Sequence, residues 1–441
     1  MLGSARELRR DYLGTISRAA REVGGLARIS AGPPGWRVTV LAVSDPELAA
    51  EVLGQPDRFR KDAPGYRELR AALGDGLLTS QDAVWRRQRR LLAPLFTPRR
   101  VTEAYAGVVV EEAERLVARW RVAAAAGRPV AVYPEMVRVA ASVVGRVLFG
   151  ADVTRALDTL TRFARINTAL LDRAVSPHPV PRRWPTPANR RLDAELAAVR
   201  RVVDEIVAQR RVGPEPGTTD LLGLLLAARD PEDGGPLAES EVADQVLIFL
   251  LAGLETTAVT LACTLVQLAL APAWQRCLLD ELDQQGVGAV PRPDDVGRLV
   301  WTSRVLHEAM RLYPAAHGMA RQARDDEVLG GYRVPAGSWL EVSPWGISHS
   351  PRVWPDPERF DPERFALPAG VPPGGHRYAW MPFGAGPHVC VGRHLALLEM
   401  TVVLGAVLRA FALSTPLAAV PVRAAITLQP VGELPVRLHP R

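Results

Sequence analysis

The chain has 441 residues, 48% hydrophobic and 23% charged, which excludes intrinsic disorder and allows a large buried core. Its 54 basic and 48 acidic residues give a formal net charge of +6; with no nucleic-acid-binding motif present, that excess suits an acidic protein partner better than a nucleic acid. The three cysteines, Cys263, Cys277 and Cys390, are too few for a disulfide framework, so a reducing compartment is expected.

The N-terminus mixes Arg9, Arg10, Arg18 and Arg21 with Glu7, Asp11 and Glu22 and holds no continuous apolar segment. Neither a signal peptide nor a membrane anchor is expected, and the reading is a soluble, cytoplasmic protein. Short strands are expected at 27–30 and 37–42 around a turn at 32–35, and Asp45 caps a helix over 47–53. Lys61, the one lysine, reads as genome bias, and 65–79 as glycine-punctuated loop with a helical turn or two. From Trp85 the pattern is helical and very basic. Apolar residues at three- and four-residue spacing predict helices over 101–125, 132–149 and 152–174. Prolines break the chain at 176–181, and helices resume over 188–211, 220–228, 239–270, 273–285 and 299–312. Short strands at 322–342, a proline-dense stretch at 351–373, a helix from Arg393 to about 408 and short closing strands complete the chain. The fold class is mainly α with minor β: one domain over 1–441, large and helical, with a smaller β-rich lobe.

The most informative stretch is Phe383-Gly384-Ala-Gly386-Pro-His388-Val-Cys390-Val-Gly392. Its glycines let a short loop bend tightly and bring backbone close to a large flat partner. A cysteine held there, ahead of a helix N-terminus, is placed to ligate a metal. On these residues alone a tight turn with a buried thiol stays open. The spacing Phe-x-x-Gly-x-x-x-Cys-x-Gly, filled by Phe383, Gly386, Cys390 and Gly392, resembles the haem-ligand loop of the cytochromes P450.

Further segments strengthen the resemblance. Glu308 and Arg311, three apart on a helix, would alone be a solvated pair. In the family such a pair joins a later arginine, here Arg364, in a buried network for folding and haem retention. Ala252-Gly253-Leu-Glu255-Thr256, by itself a polar interruption in a buried helix, resembles the oxygen-activation segment, with Thr256 and Glu255 serving proton delivery. Trp85 and Arg89, one turn apart, with His388 and Arg321, match residues that hold the haem propionates. Arg86, Arg87, Arg90, Arg99 and Arg100 are either solubilising charge or a landing site for an electron donor.

The resemblance implies the cytochrome P450 fold, heme b (iron-protoporphyrin IX) and Cys390 as metal ligand. It implies a monooxygenase that takes an oxygen atom from O2 into a hydrophobic small molecule such as a terpenoid or polyketide intermediate. Electrons come from a ferredoxin and ferredoxin reductase, since the haem domain fills the length and no reductase is fused; a monomer is expected. The pocket is expected at 74–79, 165–190, 247–251 and 315–319 and near Val431, with 176–186 a mobile lid; His317 is read as a solvent-facing loop residue, the alternative being a bond to a substrate oxygen. A fatty-acid hydroxylase, a non-oxygenating isomerase or dehydratase, and a haem-binding sensor or carrier are the rival readings.

Overall fold

The computed structural model describes residues 5–32, 38–150, 180–212, 220–368 and 370–441, with positions 162, 165, 166, 169, 170 and 173. Helices α1 (Asp82–Leu92), α2 (Ala106–Ala125), α3 (Val132–Phe149), α4 (Glu239–Leu270), α5 (Val300–Leu312) and α6 (Arg393–Ala410) position the site. Of these α4 is the axis. Its 32 residues are apolar on nearly every face, which requires neighbours all round, and α3, α5 and α6 supply them. Glu239 and Glu241 in its first turn suit the positive end of the helix. Among the described residues α4 is the one helix long and apolar enough to cross a membrane, and 78% of its apolar window is buried inside the fold. It is a core helix here.

The β lobe is built from β1 (Leu26–Ala31), β2 (Val38–Val43), β3 (Phe59–Arg60), β4 (Met319–Ala323) and β5 (Trp339–Val342), in the order β1-β2-β5-β4-β3. β2 runs parallel to β5, with Val43 opposite Val342, and β4 is antiparallel to β5, with Arg321 opposite Leu340. The sheet thus joins the N-terminal strands to residues 319–342 and brings β4 beside the N-terminal segments. A short antiparallel hairpin, β6 (Val422–Ala424) with β7 (Leu428–Pro430), lies against α4.

Most element expectations agree with the structure, including the Asp45 cap, whose carboxylate accepts from the N–H groups of Glu47 and Leu48. Pro64–Leu73 is a helix of 10 residues where loop with a helical turn or two is expected, because Gly65 near its start masks the spacing of Leu69, Ala72 and Leu73. The single helix expected over 101–125 opens instead with a π turn, Val101–Tyr105. The turn at 32–35, the helix at 152–174 and the break at 176–181 fall largely outside the described residues.

Candidate active site

A cavity of about 1860 Å³ lies between α4 and the cysteine loop, and Phe383, Gly384, His388, Cys390 and Gly392 line it from one side. The loop is held by its own backbone: the Cys390 N–H donates to Phe383 O at 2.8 Å, and the Val389 N–H to Gly386 O at 3.2 Å. Gly384 and Gly386 sit at φ +71° and +69°, and a Cβ on Gly386 would lie 2.3 Å from the Leu53 carbonyl oxygen. Gly392, at φ −83°, is in ordinary backbone; its missing side chain leaves open the space beside the sulfur. Burial raises the Cys390 pKa, opposed by the N–H groups of Gly392 and Arg393 at the start of α6 and by the Arg89 and Arg393 guanidinium groups. A bound metal cation would add to that opposition and favour the thiolate.

The walls above the loop gather basic side chains for which the described residues supply no carboxylate, and burial, then Arg321, Arg70 and Arg89, lowers the Lys61 pKa well below its usual value. Arg321 and Lys61 are 3% and 4% exposed, both line the cavity with Arg89, and none of the three pairs with a carboxylate among the described residues. Arg321 donates to its neighbour Ala320 O, Lys61 to Leu78 O and Arg89 to Val389 O. Burial, then Lys61, Arg321 and Arg89, depresses the His388 pKa to about 2, and its Nδ1 is buried without a partner. Trp85 packs on His388 with ring centroids 4.1 Å apart. Buried cations left unpaired are costly, so this arrangement fits a planar group bearing carboxylates, with a thiolate ligand beneath it. The residues present therefore fit haem. The sequence gives Lys61 no site role; its one legible signal is being the only lysine.

On the opposite wall Ala252, Gly253 and Thr256 of α4 line the cavity. Thr256 Oγ1 donates to Ala252 O at 2.7 Å, and α4 continues unbroken through the segment. Glu255, 4% exposed, does not line the cavity: its two oxygens accept from Thr427 Oγ1 and Gln429 Nε2, each at 2.6 Å. The β6–β7 hairpin thus holds the acid that adjoins Thr256.

Glu308, Arg311 and Arg364 meet as one group. Arg311 and Glu308, both fully buried, form a bidentate pair at 2.7 and 2.9 Å, and Arg364 Nε stands 3.4 Å from Glu308 Oε1. The Asp361 N–H also donates to Glu308, and Arg311 donates to Ser348 O and Arg359 O. Burial raises the Glu308 pKa, with Arg311 the chief opposing influence. The network ties α5 to the segment leading into the cysteine loop.

The apolar part of the cavity is lined by Leu77, Leu78, Leu170, Ile248, Phe249 and Leu251, together with residues 315–319. Two expectations are corrected. His317 is not solvent-facing: it is 6% exposed, with Nε2 2.7 Å from Ala425 O, because the hairpin covers it. Val431 is 49% exposed, and residues 422–427 rather than its loop form the wall. Arg87 and Arg90 are engaged inside the molecule by Glu241, Asp230 and Glu232, whereas Arg86 and Arg393 are exposed beside the cysteine loop.

Glu399 on α6 is 2% exposed, and burial with Glu112 raises its pKa from 4.5 to about 8. The folded protein then holds a proton that the unfolded chain releases, so this group's stability contribution is full below 4.5 and lost as pH rises through about 8. Glu399→Gln should flatten the melting temperature across that window. An unchanged slope would show that Glu399 is not held neutral.

The family profile described as Cytochrome P450 matches residues 4–429. The chain is 34% identical over 386 residues to cyclooctatin synthase of Streptomyces melanosporofaciens, covering 87% of this chain and 82% of that one. It is 34% identical over 387 residues to cyclooctat-9-en-7-ol 5-monooxygenase of the same organism, covering 87% and 81%. It is 33% identical over 410 residues to pentalenene oxygenase of Streptomyces avermitilis, covering 92% and 88%. The solved haem domain of cytochrome P450DA superposes with a TM-score of 0.85 at 32% identity, covering 97% of this chain and 93% of that one.

Proposed function

The chain belongs to the cytochrome P450 family and is a P450 monooxygenase, and on that premise we propose that it oxidises a terpenoid. The observation that carries this reading is a large, mostly apolar cavity closed by the Cys390 loop on one side and by Ala252, Gly253 and Thr256 on the other. Relatives named for cyclooctatin and pentalenene, both terpenoid products, support the substrate class.

In this reading Cys390 would ligate the iron of heme b, and Arg321, Lys61, Arg89, His388 and Trp85 would hold its propionates. When bound, the haem supplies the activation of O2, which thiolate ligation favours. The chain's own residues bind, orient and protonate. The apolar walls hold the substrate and exclude water. Thr256 Oγ1, aligned by Ala252 O, delivers a proton on the O2 side. Glu255 supplies that hydroxyl once it leaves Thr427 and Gln429. Glu308, Arg311 and Arg364 keep the loop in register. Electrons come from a ferredoxin reduced by its reductase, docking where Arg86 and Arg393 are exposed, and the protein acts as a cytoplasmic monomer. One buried cluster spanning Leu13 to Leu438 supports a single domain.

The test is reconstitution with ferredoxin, its reductase, NADPH and a terpene panel, followed by product analysis. A terpenoid carrying one added oxygen is expected; oxidation of fatty acids alone would favour the rival hydroxylase. Thr256→Ala should lower coupled product by roughly 10²-fold while NADPH oxidation continues and peroxide accumulates. Unchanged coupling would remove Thr256 from proton delivery.

A further inference from the structure

The cavity has an arm that the reaction chemistry leaves unused. It runs under the N-terminal helix Tyr12–Glu22 and over the sheet, lined by Leu8, Ile16, Ile29, Val40 and Leu340. Two carboxylates line this part of the cavity: Asp11 is engaged by the Gly14 N–H and by Arg18, whereas Glu341 of β5 stands among the apolar side chains. The Tyr12 hydroxyl donates to its Oε1. Its Oε2 accepts no hydrogen bond, and no cation pairs with it, among the described residues. Glu341 is half-buried, and that oxygen is open to the cavity.

The carboxylate is built in, not stranded. A Cβ on Gly318 would lie 2.2 Å from Glu341 Oε1, so glycine there makes the space. Its neighbours across the sheet, Ala320 and Ala42, are both small. An acceptor kept half-desolvated and half-satisfied in an apolar arm costs free energy unless a donor reaches it. Burial raises the Glu341 pKa and the Tyr12 hydroxyl opposes that rise; with the Tyr12 proton spent on Oε1, the second donor comes from water or from a ligand hydroxyl that displaces it.

We infer that Glu341 is a substrate-docking residue whose open oxygen accepts a hydrogen bond from a hydroxyl on the ligand. A hydroxyl is the donor a terpenoid carries, so this inference rests on the terpenoid reading for its substrate class. The substrate then arrives already oxygenated, and a reaction that installs its hydroxyl must precede this oxidation. Glu341 anchors the ligand's polar end, while the apolar remainder extends through the same cavity toward Cys390 and Thr256.

The test is calorimetric titration of the haem-loaded, full-length protein with farnesol, farnesyl methyl ether and farnesene. The alcohol should bind about tenfold tighter than the ether and the hydrocarbon, because only it donates to a carboxylate. In Glu341→Gln the amide oxygen takes the Tyr12 proton and the NH2 group faces the cavity. The alcohol's advantage over the ether should then shrink to about twofold or less, with farnesene affinity unchanged. A purely structural Tyr12–Glu341 tie predicts no alcohol preference in the native protein. An ether as tight as the alcohol, or a preference that survives Glu341→Gln, overturns the inference. Dodecan-1-ol, dodecyl methyl ether and dodecane repeat the comparison without a terpenoid skeleton. An alcohol preference confined to that series upholds the subsite and rejects the terpenoid reading; none in either series overturns the subsite.

Discussion

Cys390→Ala is expected to abolish thiolate ligation and reduce oxygenation to background. The sulfur is the one thiol on the cavity wall, and the backbone N–H groups of Gly392 and Arg393 are aimed at it. Alanine fits the same loop, because the bonds from Cys390 N to Phe383 O and from Val389 N to Gly386 O do not use the side chain. The variant should therefore keep its far-ultraviolet circular dichroism while the reduced CO complex loses the red-shifted band for which the family is named. A retained band in the folded variant would reject Cys390 as the ligand.

Arg311→Leu should destabilise the protein by about 3–5 kcal/mol and release haem, since it strands a buried carboxylate. Glu308 would keep the Asp361 N–H and Arg364 at 3.4 Å, while Ser348 O and Arg359 O would each lose a donor. Arg311→Lys should fall between, as an ammonium cannot reproduce the bidentate fork. The double variant Glu308→Leu with Arg311→Leu should be less damaging than the single one, because it removes the stranded carboxylate and leaves only Arg364, whose side chain is 11% exposed, without its partner. Denaturant unfolding of the holoprotein, with the Soret absorbance as a second readout, checks both. A loss below about 1 kcal/mol for Arg311→Leu would be the scale of a surface pair and would sink the network's structural role.

How much of the site was legible depends on how local each signal is. The cysteine loop is read from ten consecutive residues, and the structure shows why Gly384 and Gly386 are needed there. Ala252 to Thr256 is equally local, and the Thr256 bond to Ala252 O follows from helix geometry alone. The partners of Glu255 are not local: Thr427 and Gln429 lie 172 and 174 residues away. The basic stripe on α1 looks uniform in sequence, yet Arg87 and Arg90 meet acids 154 and 140 residues on, while Arg86 stays exposed. Lys61 sits in no periodic pattern and matters only because folding sets it beside Arg321.

By itself, then, the amino-acid sequence determined the helical architecture and the core helix Glu239–Leu270, and it located the candidate ligand cysteine and the candidate proton-handling threonine. These depend on periodicity and on residues within a turn of one another. Tertiary structure alone decided which charges are paired, that His317 is buried under a hairpin, and that Tyr12 meets Glu341 across 329 residues. The physical reason is that burial and counter-ions set a polar group's chemistry, and both are supplied by chain that is distant in sequence.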